Sequence, residues 1–142
     1  MVGPIEEKIN SGQIECLAHP PPNEFISPDE IGKLVKPLHY SVFPYRGEIY
    51  QLVASAAFLD AFVFLKPVIA LKNPYFDYYF DKIGDIGYLC NNQEDMLKTI
   101  ISLAEDFPME RYKVQRENLL KGRSFFQPKE LASKLKMIMG DV

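Results

Sequence analysis

The chain is poor in the residues that build metal centres and disulfide frameworks. It holds two cysteines, Cys16 and Cys90, and two histidines, His19 and His39. Each cysteine closes an apolar run, so both read as reduced core thiols; a disulfide or a metal site needs more partners or a tighter spacing. No pair or cluster has metal-ligand spacing, and no metal or cofactor is expected. None of the eight glycines falls in a P-loop or a GxGxxG fingerprint. Positive charge is not in excess: 16 Lys and Arg stand against 19 Asp and Glu, a net charge of -3, which removes the electrostatic basis for non-specific nucleic-acid binding. The longest apolar stretch, Val53 to Leu65, carries Asp60 and is too short to span a bilayer. Met1-Val2-Gly3-Pro4 opens no cationic and then apolar leader, so a cytoplasmic protein is expected.

What is present is an ordinary globular composition, 47% hydrophobic and 25% charged, over 142 residues. That length fits one domain, residues 1–142, with enough chain to bury a core.

Short apolar runs alternate with helical patterns. Met1–Gly3 reads as the end of a truncated first strand, and Gln13–Leu17 as a short strand before the His19-Pro20-Pro21-Pro22 loop. Ser27-Pro28-Asp29-Glu30 carries the capping signature of a helix start, with Ile31, Leu34 and Val35 as its apolar face and Pro37 as its stop. Tyr40–Phe43 is a strand, about 55–64 a helix, and Val68–Leu71 a buried strand. Asn73 caps a helix to about Lys82, Tyr88–Cys90 is a strand, and Asn92 caps a helix to about Glu105 whose core stripe is Met96, Leu97, Ile100, Ile101 and Leu103. A helix over 109–121 stops at Gly122, and a last helix opens near Pro128. Strands lying in continuous apolar runs and separated by helices predict an α/β fold, a doubly wound, Rossmann-like parallel sheet. Ligands of such sheets bind at the carboxyl ends of the strands.

The segment from Tyr40 to Asn73 is the one that could carry chemistry. A strand delivers the chain to a loop, and the loop feeds a helix that begins Ser55-Ala56-Ala57. Free N–H groups and the helix dipole at such an end attract phosphate, and small side chains let a diphosphate approach the backbone. Asp60, just beyond, offers a carboxylate to ribose hydroxyls. The plain alternative is that Ser55 only caps a helix and Asp60 is a solvated acid.

In Asp60-Ala61, Lys66-Pro67-Val68-Ile69-Ala70, Gly87-Tyr88-Leu89-Cys90, Asn91-Asn92-Gln93-Glu94, Asn118 and Phe125-Phe126, taken in that order and spacing, the chain resembles the C-terminal domain of GT-B glycosyltransferases of the retaining, glycogen-synthase-like kind. Where that family carries paired glutamates this chain has Leu52 and Asp60, and Val53-Ala54-Ser55 replaces a glycine-rich turn, so the likeness is to a divergent branch with a Tyr50, Ser55, Asp60, Ala61 pattern. The resemblance implies a nucleotide-diphosphate sugar as ligand, with Tyr45, Tyr50, Ser55, Ala56, Ala57 and Asp60 around it. It also implies a missing N-terminal acceptor domain, without which the chain is inactive in sugar transfer.

Two rivals share the fold: a non-catalytic flavodoxin-like binding module, and half of a nucleotide-sugar epimerase. A receiver module is disfavoured because Asp85 and Lys66 do not fall into its frame. His19 and His39 read as a loop residue and a structural residue. Tyr75, Phe76, Tyr78, Tyr79 and Phe80 read as mostly core. Lys113, Arg116, Lys121 and Arg123 read as a solvated helix face that leaves a peripheral membrane or anion contact open.

Overall fold

The computed structural model describes residues 26–45 and 56–129, with single positions 132, 136 and 137 beyond them. The segments read as Met1–Gly3, Gln13–Leu17 and the His19 loop lie outside the described residues, as do Cys16, Tyr50, Leu52 and Ser55. The chain divides into two units, Met1–Leu38 and His39–Val142.

In the first unit, α1 spans Pro28–Val35. Ser27 is its N-cap and accepts from the Glu30 N–H at 3.3 Å, and Pro28 fills N1, where a missing N–H is harmless. The start and stop signals in the sequence are those the structure uses.

The second unit runs β1 (Ser41–Phe43), α2 (Ala56–Val63), β2 (Val68–Leu71), α3 (Pro74–Ile83), β3 (Gly87–Cys90), α4 (Gln93–Glu105), α5 (Met109–Gly122) and a 3-10 turn over Arg123–Phe126. The three strands are parallel in the order β1-β2-β3, with Ser41 opposite Val68 and Val68 opposite Gly87. Central β2 is buried at all four positions, as its unbroken apolar run requires when helices cover both faces. The order does not reverse among the described strands, so the α/β parallel sheet is seen and a doubly wound switch point is not among them.

Side chains alternate across the sheet. Phe43, Val68 and Ala70 point to one face and meet Phe58 and Phe62 of α2, Phe76 of α3 and Leu119 of α5. Ile69, Leu71 and Cys90 point to the other and meet Met96 of α4. The first face is an aromatic core: the Phe58 ring lies 5.0–6.1 Å from Phe43, Phe62, Tyr75, Phe76 and Tyr79, mostly edge to face.

Three expectations need correction. Leu97 is 57% exposed and Ile101 47%, with Ile100 also exposed, so α4 buries only Met96 and half-buries Leu103. It packs on β2 and β3, and Val42 on the same face of β1 is left 47% exposed. Gly122 is not a left-handed stop: its φ is -63°, and the chain runs on into the 3-10 turn. Its role is close packing, since a Cβ there would lie 2.9 Å from Phe62 and Ile83 atoms. Arg123 is not merely solvated: its guanidinium donates to the Phe62 and Val63 carbonyls at 2.9 and 2.7 Å, satisfying the open C-terminus of α2. Among the described residues no helix is long and apolar enough to cross a membrane.

Candidate functional site

Parallel strands joined by helices put every strand end and helix start on one edge. Here that edge holds Tyr45 after β1, the first turn of α2, Asn73 between β2 and α3, and Asn91-Asn92 between β3 and α4. Tyr45 is half-buried, its ring 5.8 Å from Phe43, so the core fixes its position. Ala56 and Ala57 are exposed in the first turn of α2. Asp60 is also exposed, on the helix face opposite the buried Phe58, Ala61 and Phe62. It is one turn beyond Ala56, so the two share a face. Asp60 is therefore not a core acid. Tyr50 and Ser55 cannot be placed, because they lie outside the described residues.

Asn73 enters the sequence reading only as a helix cap. It is one: its Oδ1 accepts from the Phe76 N–H at 3.0 Å. Yet the residue is only 4% exposed, and its Nδ2 is buried with no hydrogen-bond partner among the described residues. A spare buried donor is costly unless something accepts from it. The cap assigns Oδ1 and Nδ2 unambiguously, so no amide flip removes the orphan. Position was the available signal: Asn73 directly follows a buried parallel strand, at the edge where ligands bind.

At the opposite edge lies a second polar assembly that the sequence does not announce. Asp85 sits in the turn before β3. Its Oδ2 accepts from Arg111 Nε at 2.9 Å and its Oδ1 from Gln115 Nε2 at 2.9 Å and from the Gly87 N–H at 3.3 Å. Its backbone carbonyl accepts from Asn118 Nδ2 at 2.9 Å. Burial alone would raise the Asp85 pKa, but the Arg111 and Gln115 hydrogen bonds, the Arg111 charge and Gly87 outweigh it, and the carboxyl is held below its usual value. The Arg111 guanidinium also lies 4.3 Å from the Tyr88 ring centroid. Asn118, which the resemblance carries, thus fastens α5 to the α3–β3 turn. The His39 ring meets Phe107 edge to face and Tyr112 at a tilt, with centroids 4.9 and 5.7 Å away, a packing contact of the kind expected of it. Burial, aided by the Arg116 charge, depresses the Lys66 amine, which precedes β2 at this same edge and so lies away from the strand ends.

An open pocket of about 550 Å3 lies along β3, lined by Phe80, Asp81, Asp85, Leu89, Thr99 and Arg111 among others. Its residues come from α3, the α3–β3 turn, β3, α4 and α5 rather than from the strand-to-helix connections. Cys90 is a free, buried thiol in contact with Thr99 at 3.7 Å; burial chiefly, with the Asp95 charge adding, raises its pKa despite Thr99. Among the described residues no group of three or more His, Cys, Asp or Glu side chains could hold a metal ion. The chain matches no family model, and no significant match is found among curated proteins or solved structures.

Proposed function

We propose that this chain binds a nucleoside diphosphate, carried as a nucleotide sugar, at the carboxyl edge of its sheet, and that it is the donor-binding half of a glycosyltransferase. The observation that supports this most is Asn73, a nearly buried residue at that edge with a donor left over after capping α3. The exposed small residues at the start of α2 supply a second element, a helix end with room for phosphate. In this reading Tyr45 and Tyr50 line the base or sugar, Ser55, Ala56 and Ala57 face the diphosphate, and Asp60 accepts from the ribose. The acceptor site belongs to a separate N-terminal domain, so the chain alone turns over no nucleotide sugar. A doubly wound sheet belongs to the same proposal. It needs a further strand on the outer edge of β1, where the N–H and C=O of Val42 point away from β2.

Titration calorimetry on the whole chain with UDP, GDP, ADP, flavin mononucleotide and inorganic phosphate tests the reading. One nucleoside diphosphate should bind, with amide shifts at Tyr45, Ala56, Ala57 and Asn73. Asp60→Ala should weaken binding by roughly 1.5–3 kcal/mol, about ten- to a hundredfold, the worth of a hydrogen bond to a charged group. Because Asp60 is exposed, its melting temperature should not move. Flavin binding without diphosphate binding would favour the flavodoxin-like module, and binding of none of the five would remove the proposal.

A further inference from the structure

We propose that β3 is a sealed end of the sheet, closed against strand addition by side chains of the α3–β3 turn, α4 and α5. In a parallel ladder alternate residues turn their N–H and C=O groups toward the neighbour and the others turn them away. Val68 N–H bonds to the Ile86 carbonyl at 2.9 Å and Lys72 N–H to the Cys90 carbonyl at 2.8 Å. With Val68 opposite Gly87, it follows that Gly87, Leu89 and Asn91 present their backbone groups outward. Bare groups of that kind are a template for another strand.

Here three of the six are occupied. Gly87 N–H donates to Asp85 Oδ1 at 3.3 Å, and the Gly87 carbonyl accepts from Gln115 Nε2 at 3.3 Å. Asn91 N–H donates to Asp95 Oδ2 at 2.9 Å. An incoming strand would find open only the Leu89 groups and the Asn91 carbonyl, with both Gly87 groups and the Asn91 N–H already engaged.

Of the guards Asp85, Gln115 and Asp95, Gln115 is the one its local role does not explain. Asp95 also serves the start of α4: Asn92 Oδ1 takes the Asp95 N–H at 2.9 Å, and Asp95 Oδ2 in return takes the Asn91 N–H at 2.9 Å and Asn91 Nδ2 at 3.1 Å. Gln115 is 0% exposed and leaves its Oε1 without a partner among the described residues. An apolar residue there would avoid that penalty, so what Gln115 contributes is its amide on Asp85 and Gly87. No side chain among the described residues closes Val42 on β1 in the same way. The two ends of the sheet therefore differ, and the pocket along β3 offers a peptide only an interrupted ladder.

Amide exchange by NMR on the whole chain reads the seal directly. Gly87 and Asn91 should exchange roughly tenfold or more slowly than Leu89, although all three face outward. Gln115→Met keeps the volume and frees the Gly87 carbonyl, and Asp95→Ala frees the Asn91 N–H, while Asp85 still holds the Gly87 N–H. The folded double variant should self-associate with rising concentration by sedimentation velocity, and its Leu89 amide should become protected as it does. Equal exchange at the three wild-type amides would overturn the proposal, and so would a folded double variant that associates no more than wild type. A double variant that does not fold leaves the wild-type exchange pattern to decide.

Discussion

At Gly122 a methyl group would lie 2.9 Å from Phe62 Cε1 and from Ile83 Cγ2, closer than carbon atoms rest in a packed core. The backbone there is ordinary right-handed helix, so it is space and not conformation that selects glycine. Gly122→Ala gains about 1 kcal/mol of helix propensity and loses about 1–3 kcal/mol to overpacking. The expected net is a destabilisation of about 1 kcal/mol, read as a lower urea midpoint at unchanged slope. Gly87 is the opposite case. Its φ of 153° and a Cβ only 1.9 Å from the Val68 carbonyl oxygen leave no side chain room beside β2. Gly87→Ala should abolish cooperative unfolding, because the clash is with backbone that cannot turn aside. A sharp melting transition in that variant would contradict the β2–β3 register.

Elements in this protein are joined by side chains that finish the hydrogen bonding of other elements. Asn73 caps α3, and Arg123 closes the end of α2 from the far end of α5. Asn73→Ala should cost about 1 kcal/mol, the usual worth of such a cap. Asn73→Ser keeps a capping oxygen and deletes the spare amide, so it should restore stability. If Asn73 serves a ligand it should not restore binding, and calorimetry on the two variants separates the roles. Arg123→Ala leaves two carbonyls without their charged partner and should lower stability by about 1 kcal/mol. The effect should show first as faster amide exchange in α2.

The caps were legible because they are local. Ser27-Pro28, Asn73-Pro74 and Asn92 announce helices within a few residues, and the Val68–Leu71 run fixes a strand buried on both sides. Arg123 and Arg111 were not legible. Their partners lie 61 and 26 positions away, and no short-range pattern marks them. The α4 stripe misled for a related reason: periodicity gives the apolar face of a helix but not how much sheet lies beneath it. Of the candidate site, the edge and the exposure of Asp60 are visible in the fold, but Asn73 became more than a cap only once its second donor was seen to be buried.

Among the described residues of the second unit, Asp85 is the one carboxylate that joins three segments, the α3–β3 turn, β3 and α5. Its folded pKa is lowered, so the unfolded chain binds that proton more readily and low pH favours unfolding. The stabilisation Asp85 contributes is complete above the ordinary carboxylate value near 3.8 and disappears as pH falls through the lower folded value. Asp85 and Arg111 are both partly open to water, so screening keeps the contribution modest. Asp85→Asn should therefore be less stable than wild type at pH 7, and the gap should hold down to about pH 5 and then close steadily in more acid solution. Salt should narrow the gap at pH 7 by screening the Arg111 pair, while the Gln115 and Gly87 hydrogen bonds keep it from vanishing. Urea unfolding of both proteins from pH 7 to pH 2.5 gives the difference at each pH. A gap that widens toward acid would mean that Asp85 is protonated more easily in the folded protein, and the network around it would then be ordered by packing rather than by charge.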